Sequence, residues 1–507
     1  MPAEAIAETA EARAVEKEAT HKFIRDVFFA NLPVPFQKLQ SYLWLVFFAR
    51  TLGPAGFGTW SLFSVSLNIG VTIAALNLGT AMLRLLSGNK SAEEINQSVS
   101  GVFSLTAVSS AAAAIVIAAC SNWGALAIFH NPHARVLVLL IALALPFDCF
   151  FEGAKGFLRA RRLNRIWAFL TLARLIPETV LTLVVGCILL SVRAVVSTYL
   201  ACGVIAAVSS IIFVRHYSRI RFVKPNWAVM SRFLGYGLPV MPGAVAYFMQ
   251  ISADRYIVSY YLDLKQVGIY SVCFTISVLT FFLVISINDV LFPELSALYD
   301  SGHMKQFVER FSGIQKFVFA LSIGVAAILA AFPADVLRLF SSRAFLSGSS
   351  TLAILGIQGI FMAFVRLYII LFGVRLKVWR VSSFWVLSGA AILILDIVLI
   401  PKMGILGAAM SQLIATAASA LVIIGLNWKL FRQSFQPVWL LQGGVAVAAV
   451  FAVRALWPQL QSLGGLQSIL RLTAGLAVFT ISMLATKYVR PGDLKLFQEA
   501  FLRRRAA

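Results

Sequence analysis

The chain has 507 residues, 60% of them hydrophobic and 13% charged, and its 43 Lys and Arg outnumber 21 Asp and Glu to give a formal net charge of +22. Soluble domains carry about 25% charged residues, so an ordinary soluble protein is excluded. A positive excess of this kind can serve nucleic acid or a membrane surface, and its placement along the chain decides between them.

Residues 1–22 are polar and rich in Ala and Glu, without the apolar core of a cleaved signal peptide, and are expected to form a cytosolic tail. Beyond them, apolar stretches of about 20 residues, the length that crosses a hydrocarbon core, recur almost to the end. About fourteen are expected, near 24–49, 57–83, 97–120, 134–157, 166–190, 193–214, 232–261, 267–292, 310–332, 350–374, 379–400, 404–427, 437–457 and 467–489. The fold class is therefore an all-α polytopic membrane protein.

The first span carries LPVP at Leu32 to Pro35 and is followed by ARTLGPAGFGTWSL from Ala49 to Leu62. The seventh repeats that order, with LPVMP at Leu238 to Pro242 and YLDLKQVGIYSV from Tyr261 to Val272. Aligning Gly58 with Gly268 pairs Trp60 with Tyr270 and Ser61 with Ser271, and the proline pairs sit about one helical turn closer in register. The match reads as a duplication. Each copy is expected to be a proline-interrupted helix, a tight turn and a second apolar helix. Interruptions at corresponding places in two halves point to the site of a secondary transporter, while a lone Leu-Pro pair is the ordinary cause of a kink.

Six spans separate the copies, and an even number restores orientation, so the halves are parallel repeats. Residues 23–214 are expected to form an N-lobe of spans 1–6, 215–231 a basic cytoplasmic linker and 232–427 a C-lobe of spans 7–12. Residues 428–490 then hold an appended pair of spans, and 491–507 a cytosolic C-terminal tail. The turn PKMGILGAAMSQ, Pro401 to Gln412, joins spans 11 and 12 with small residues that allow close helix approach.

With the N-terminus inside, thirty of the 43 basic residues fall in the tails and even-numbered connections and eight in the odd-numbered ones. Positive charge thus lies inside, which places both termini in the cytoplasm. The densest clusters are Lys155, Arg159, Arg161, Arg162 and Arg165, then Arg215, Arg219, Arg221, Lys224 and Arg232. They read as topology signals that touch anionic lipid, and no nucleic-acid partner is needed.

Cys120, Cys149, Cys187, Cys202 and Cys273 lie in or at the ends of spans and are expected to be free thiols, with no CxxC and no secreted framework. His21, His130, His133, His216 and His303 lie in connections or the tail, with no acid or thiol at ligand spacing, so no metal site is expected. Connections are too short for a catalytic domain. There is no GxxxxGKS or GxxxxGKT phosphate loop, no HExxH and no GxSxG elbow. No catalytic residue, enzymatic activity or cofactor is expected.

ARTLGPAGFGTWSL, the Asp254, Arg255 and Val267 to Tyr270 region, PELSALYDSGHMKQF from Pro293 to Phe307 and PKMGILGAA from Pro401 to Ala409 together resemble the polysaccharide transporter family. These are the oligosaccharide flippases of the multidrug/oligosaccharidyl-lipid/polysaccharide exporter superfamily. The resemblance implies alternating access between two six-helix lobes and a lipid-linked sugar turned from the cytoplasmic to the outer leaflet of the bacterial cytoplasmic membrane. It implies partners among membrane lipids and other polysaccharide assembly proteins. Fourteen spans rather than twelve also keep the lipid II flippase branch in view.

Five basic residues remain within spans: Lys38, Arg174, Arg255, Arg366 and Arg471. Arg471, near the outer end of span 14, is expected to snorkel. The other four lie deeper, where a charge costs at least ~2.5 kcal/mol on insertion scales, and so are expected to face a cavity or an ion-pair partner. Asp148 and Glu152 share a face of span 4, and Arg174 and Glu178 a face of span 5, where the latter two can neutralise each other. Asp254 and Arg255 are adjacent, point about 100° apart on a helix and must each look elsewhere. Lys38 lies three residues after Pro35 with no acid close in sequence. Asp289 and Asp396 read as interfacial. Tyr247, Tyr256, Tyr260 and Tyr261 form an aromatic belt or a surface for stacking sugar rings.

A cavity lined by Lys38, Arg174, Arg255 and Arg366 would suit a diphosphate or an acidic sugar. Coupling to a proton or sodium gradient is implied by the resemblance alone, with Asp148, Glu152, Glu178 and Asp254 as candidate sites. The first rival is a small-molecule exporter, whose cavity should be net acidic. The second is a membrane-bound sugar polymerase or glycosyltransferase, which needs a sizeable outer loop that this chain lacks.

Overall fold

In hydrocarbon a backbone amide has no partner but another backbone group, and long uncharged runs resolve this by winding into helices. The computed structural model describes residue 29 and residues 31–88, 90–217, 219–375, 378–457 and 464–488. The expected tails 1–22 and 491–507 lie outside the described residues. Among the described residues there is no strand.

The helices are α1 Pro33–Thr51, α2 Gly53–Ala74, α3 Leu78–Leu85, α4 Ala92–Ala119, α5 Ser121–Phe129, α6 Arg135–Ala160, α7 Asn164–Leu189, α8 Val192–Tyr217, α9 Trp227–Gln250 and α10 Ala253–Tyr261. They continue as α11 Leu264–Ser277, α12 Leu279–Asp300, α13 Met304–Ala331, α14 Pro333–Phe340, α15 Ser349–Val374, α16 Val378–Met403, α17 Ile405–Leu426, α18 Trp428–Ser434, α19 Val438–Leu456 and α20 Gly464–Ala485. Among the described residues, twelve helical stretches are long and apolar enough to cross a bilayer. The two expected spans that fall short are the duplicated ones. Gln37, Lys38, Gln40 and Ser41 dilute α1, and the second copy is split between α9 and α10. The protein is an all-helical, multi-pass membrane protein.

The prolines act differently in the two copies. Pro33 occupies the first turn of α1, where its missing N–H would have been unpaired in any helix. Pro239 and Pro242 lie inside α9, and the chain leaves helical geometry further on, at Ile251 and Ser252. Interruption of the helix, expected in both copies, is therefore found downstream of the prolines in the second. In the first copy Asn31 is helical, Leu32 is a turn residue and the helix resumes at Pro33, so the interruption lies at the prolines themselves.

The described residues pack as two compact units, one within 1–52 and 62–245 and the other within 53–61 and 246–507. In the first, α6 is central, packed against α3, α4, α7 and α8, over a core that includes Leu78, Met82, Val102, Phe157 and Trp167. In the second, α15 is central, packed against α11, α12, α13 and α17, and the appended α19 and α20 pack on each other, with α19 against α13. Its core is aromatic, with Phe307, Phe311, Phe319, Tyr368 and Trp439 buried. Large aliphatic side chains also face outward: Ile188, Leu421 and Leu441 are all at least 70% exposed, as lipid-facing side chains are. Gly404, at φ +62°, makes the tight turn between α16 and α17, in the left-handed region that other residues avoid. All five cysteines are free.

Candidate functional site

Polar side chains persist inside a bilayer where they meet one another or water. In the first unit they converge on a cavity of about 320 Å³. α1 supplies Gln37, Gln40, Ser41 and Trp44, at spacings of three and four that put them on one face, and α6 supplies Asp148, Glu152 and Lys155 in the same way. Arg174 and Glu178 come from α7 and Tyr199 from α8.

Arg174 is the hub. Its Nη2 lies 2.6 Å from Asp148 Oδ1, and its Nε donates to Glu178 Oε2 at 2.9 Å. The same Nη2 donates to the Tyr199 hydroxyl at 3.1 Å, which in turn donates to Asp148 Oδ2 at 3.0 Å. Gln40 Nε2 donates to the far oxygen of Glu178 at 3.2 Å, and the Phe151 ring lies 4.8 Å under the guanidinium. The expected Arg174 and Glu178 pair is present, but it is half of a three-charge cluster whose other member comes from the neighbouring helix. Glu152 pairs with Lys155 at 2.6 Å. Three carboxylates thus face two bases, so the cavity lining is net acidic. Lys38, half-buried on α1 and turned about 100° from Gln37, does not line it.

Arg255 and Asp254 sit in the second unit at the break between α9 and α10. They do touch, which the helical spacing did not foresee, with Arg255 Nη1 3.4 Å from Asp254 Oδ1 and the backbone N–H of Arg255 donating to that oxygen at 2.8 Å, but each side chain also finds other partners, as expected. The reason is the break itself. A residue in the first turn of a helix can fold its side chain back over the turn before it, and the break leaves carbonyls without intrahelical partners. Arg255 Nη1 donates to the Ile251 carbonyl at 2.8 Å, and Gln412 Nε2 from α17 donates to the Gln250 carbonyl at 3.1 Å. Arg255 is buried, with Nε on Ser271 Oγ at 3.2 Å and the Phe274 ring 4.7 Å away. Asp254, fully buried, also accepts from Tyr270 and from Gln412. Both residues secure an interrupted span.

Arg366, half-buried on α15, stacks on Tyr247 at 4.9 Å and Trp385 at 5.6 Å, donates to the Tyr247 hydroxyl and leaves its Nε without a hydrogen bond. Tyr247 therefore belongs to a cation–π cluster, whereas Tyr260 and Tyr261 are exposed. Asp396, expected near a span end, is shielded by the protein. It is fully buried on α16, and neither carboxylate oxygen has a hydrogen-bond partner. Asp289 lies on α12, and its side chain is outside the described residues. Arg471 does not snorkel. It is 3% exposed and pairs with Asp335 at 2.8 Å, which Ser468 also contacts at 2.9 Å. Sequence reasoning passed over Tyr199, Gln40 and Gln412. Their signal was simply a polar side chain within an apolar run. Among the described residues no three His, Cys, Asp or Glu side chains gather as a metal site would require.

The family model of polysaccharide biosynthesis proteins matches residues 47–349, more than half of the chain. An uncharacterized membrane protein of Methanocaldococcus jannaschii is 28% identical over 233 residues, a stretch that covers 44% of this chain and 44% of that relative, less than half its length. Among solved structures, the lipid II flippase MurJ in an inward closed conformation superposes with a TM-score of 0.74 at 15% identity, covering 92% of this chain and all of that one. An inward-facing multidrug resistance MATE family transporter of the MOP superfamily gives 0.64 at 15% identity, covering 78% and 94%. A MOP superfamily transporter from Pyrococcus furiosus, described for the reversed polarity of its binding pocket, gives 0.54 at 14% identity, covering 82% and 97%. At such identities the likeness speaks for the fold, and the family match speaks for the lineage. The chain belongs to the polysaccharide biosynthesis protein family, and its fold is like that of MurJ and the MATE transporters.

Proposed function

We propose that this protein is a flippase that carries a lipid-linked oligosaccharide, of the polyprenyl-diphosphate type, across the bacterial cytoplasmic membrane for surface polysaccharide synthesis. The observation that carries this reading is the family match over residues 47–349. The headgroup is polar and anionic and its tail is not, so the protein has to give the headgroup a wet path while the tail stays in lipid. Transport then proceeds by rocking of two six-helix lobes, both termini remaining cytoplasmic, with no bond made or broken. Lys38 and Arg366 are the basic residues assigned to the diphosphate. Asp148, Glu152, Glu178 and Asp254 are the carboxylates through which a proton or sodium gradient would act.

One observation favours a second reading. The cavity of the first unit sets three carboxylates against two bases, the polarity suited to a small organic cation. A lipid II cargo is the third possibility, supported by the fold likeness. The purified protein in liposomes separates them: a fluorescent lipid-linked oligosaccharide should move between leaflets at a rate that lipid II and an organic cation do not match. Transport of the organic cation alone would reject the flippase reading, and cells lacking the protein would then show no build-up of lipid-linked sugar.

A further inference from the structure

The second unit holds another cavity, of about 600 Å³, at the end of the bundle where α13 begins and α20 ends. One wall is a single face of α13 that carries Arg310, Gly313 and Lys316, at spacings of three. The facing wall belongs to the appended helices and carries Trp439, Gln442 and Lys487. Three cations line the space against one carboxylate, Glu309, and one of the three, Arg310, is paired with Glu294 at 3.2 Å.

The walls are firmly built. Lys316 Nζ lies 5.4 Å over the Tyr488 ring, and the Tyr488 hydroxyl donates to the Lys316 carbonyl at 2.8 Å. Gln442 Nε2 donates to the Thr486 carbonyl at 2.7 Å, which ties α19 to the end of α20. The Trp439 indole forms an apolar floor, only 3% exposed. Gly313 sits in the interior of α13, where glycine weakens a helix, and a Cβ there would meet nothing within 4 Å. Packing does not call for this glycine, and a side chain there would enter the cavity. From Val438 in the cavity wall an exposed apolar strip runs along α19 at helical spacing through Leu441 and Val445, the three being 46%, 73% and 55% exposed. A cationic recess therefore adjoins an apolar strip, the shape of a phosphate with acyl chains attached.

We propose that this cavity binds the phosphate headgroup of an anionic bilayer phospholipid, with its chains along Val438, Leu441 and Val445. The lipid bridges α13 to the appended helix pair and tightens their docking.

The test uses the full-length protein in neutral detergent, with thermal unfolding followed against added dioctanoyl phosphatidylglycerol, dioctanoyl phosphatidylcholine or inorganic phosphate. Phosphatidylglycerol should raise the Tm by several degrees in a saturable way, and the other two should not. Lys316→Gln with Lys487→Gln should weaken the half-saturating concentration about 25-fold, at about fivefold for each basic residue lost. Gly313→Trp, which fills the space without removing a charge, should abolish the response while leaving the lipid-free Tm nearly unchanged. Lys429→Gln with Arg432→Gln, on α18 outside the cavity, should respond like the parent. Equal stabilisation by phosphatidylcholine or by inorganic phosphate would overturn the lipid assignment. A full response from Gly313→Trp, or an equal loss from the α18 pair, would show that surface charge and not the cavity is responsible.

Discussion

Ser61 donates a hydrogen bond to Ser271 at 2.8 Å, and one helical turn earlier Gly58 lies against Gly268. These are the residues that internal alignment of the two copies pairs with each other. The duplicated motif is thus a self-contact, in which like residues of the two copies meet. A Cβ on Gly58 would fall 2.0 Å from the Leu264 carbonyl oxygen, and one on Gly268 would fall 1.9 Å from that of Pro54. Backbone atoms cannot yield as side-chain ends do. Gly58→Val and Gly268→Val should each strip the protein from the membrane fraction, whereas Ser61→Ala should cost about 0.6 kcal/mol, the usual worth of a hydrogen bond between membrane helices. Immunoblots of membrane fractions and thermal unfolding measure both, and normal levels of the valine variants would refute the close contact.

The Asp148, Arg174 and Glu178 cluster predicts strong non-additivity. Arg174→Gln leaves two buried carboxylates without their cation and should cost about 3–5 kcal/mol, the range seen when one partner of a buried pair is removed. Adding Asp148→Asn should recover part of that loss. A double-mutant cycle on purified protein reads the coupling, and additive losses would mean that the two residues do not interact.

Arg255 and Lys38 should behave differently. Arg255→Ala uncovers the Ile251 carbonyl and removes the cation beside Asp254, so the variant should be depleted from the membrane. Lys38→Ala should leave abundance close to normal and reduce polysaccharide export, with Lys38→Arg keeping more activity because charge is retained. Normal export by Lys38→Ala would remove Lys38 from the proposed path.

Asp335 and Arg471 fasten α14 to α20. Arg471→Leu leaves Asp335 to Ser468 and to the more distant Arg338, 3.7 Å away, and should lower stability by roughly 3 kcal/mol. The double variant Asp335→Asn with Arg471→Leu should unfold at a higher temperature than Arg471→Leu alone. If it does not, the pair contributes little to the docking.

A reporter active only in the periplasm, fused after Ala507, should stay silent. The thirty-to-eight bias of basic residues sets this expectation. A strong signal would mean an odd number of spans.

Hydropathy by itself determined the class of fold, because the demand that every backbone group be paired in hydrocarbon leaves long apolar runs one outcome. Repetition in the sequence also identified Gly58, Ser61, Gly268 and Ser271 as equivalent, since a shared ancestor leaves its mark in residue order. What these residues touch was decided only in three dimensions. Spacing rules see partners three or four residues away on one helix, and so found Arg174 with Glu178 but not Arg174 with Asp148, whose contact depends on how α6 and α7 pack. The same rules set Arg255 apart from Asp254 on an assumed continuous helix. The break at Ile251 and Ser252 freed carbonyls that drew the arginine back, so a residue that hydropathy marked as costly proved to be a cap. Asp335 and Asp396 carry the same lesson: depth along a span can be counted from sequence, but burial depends on which neighbour covers the side chain.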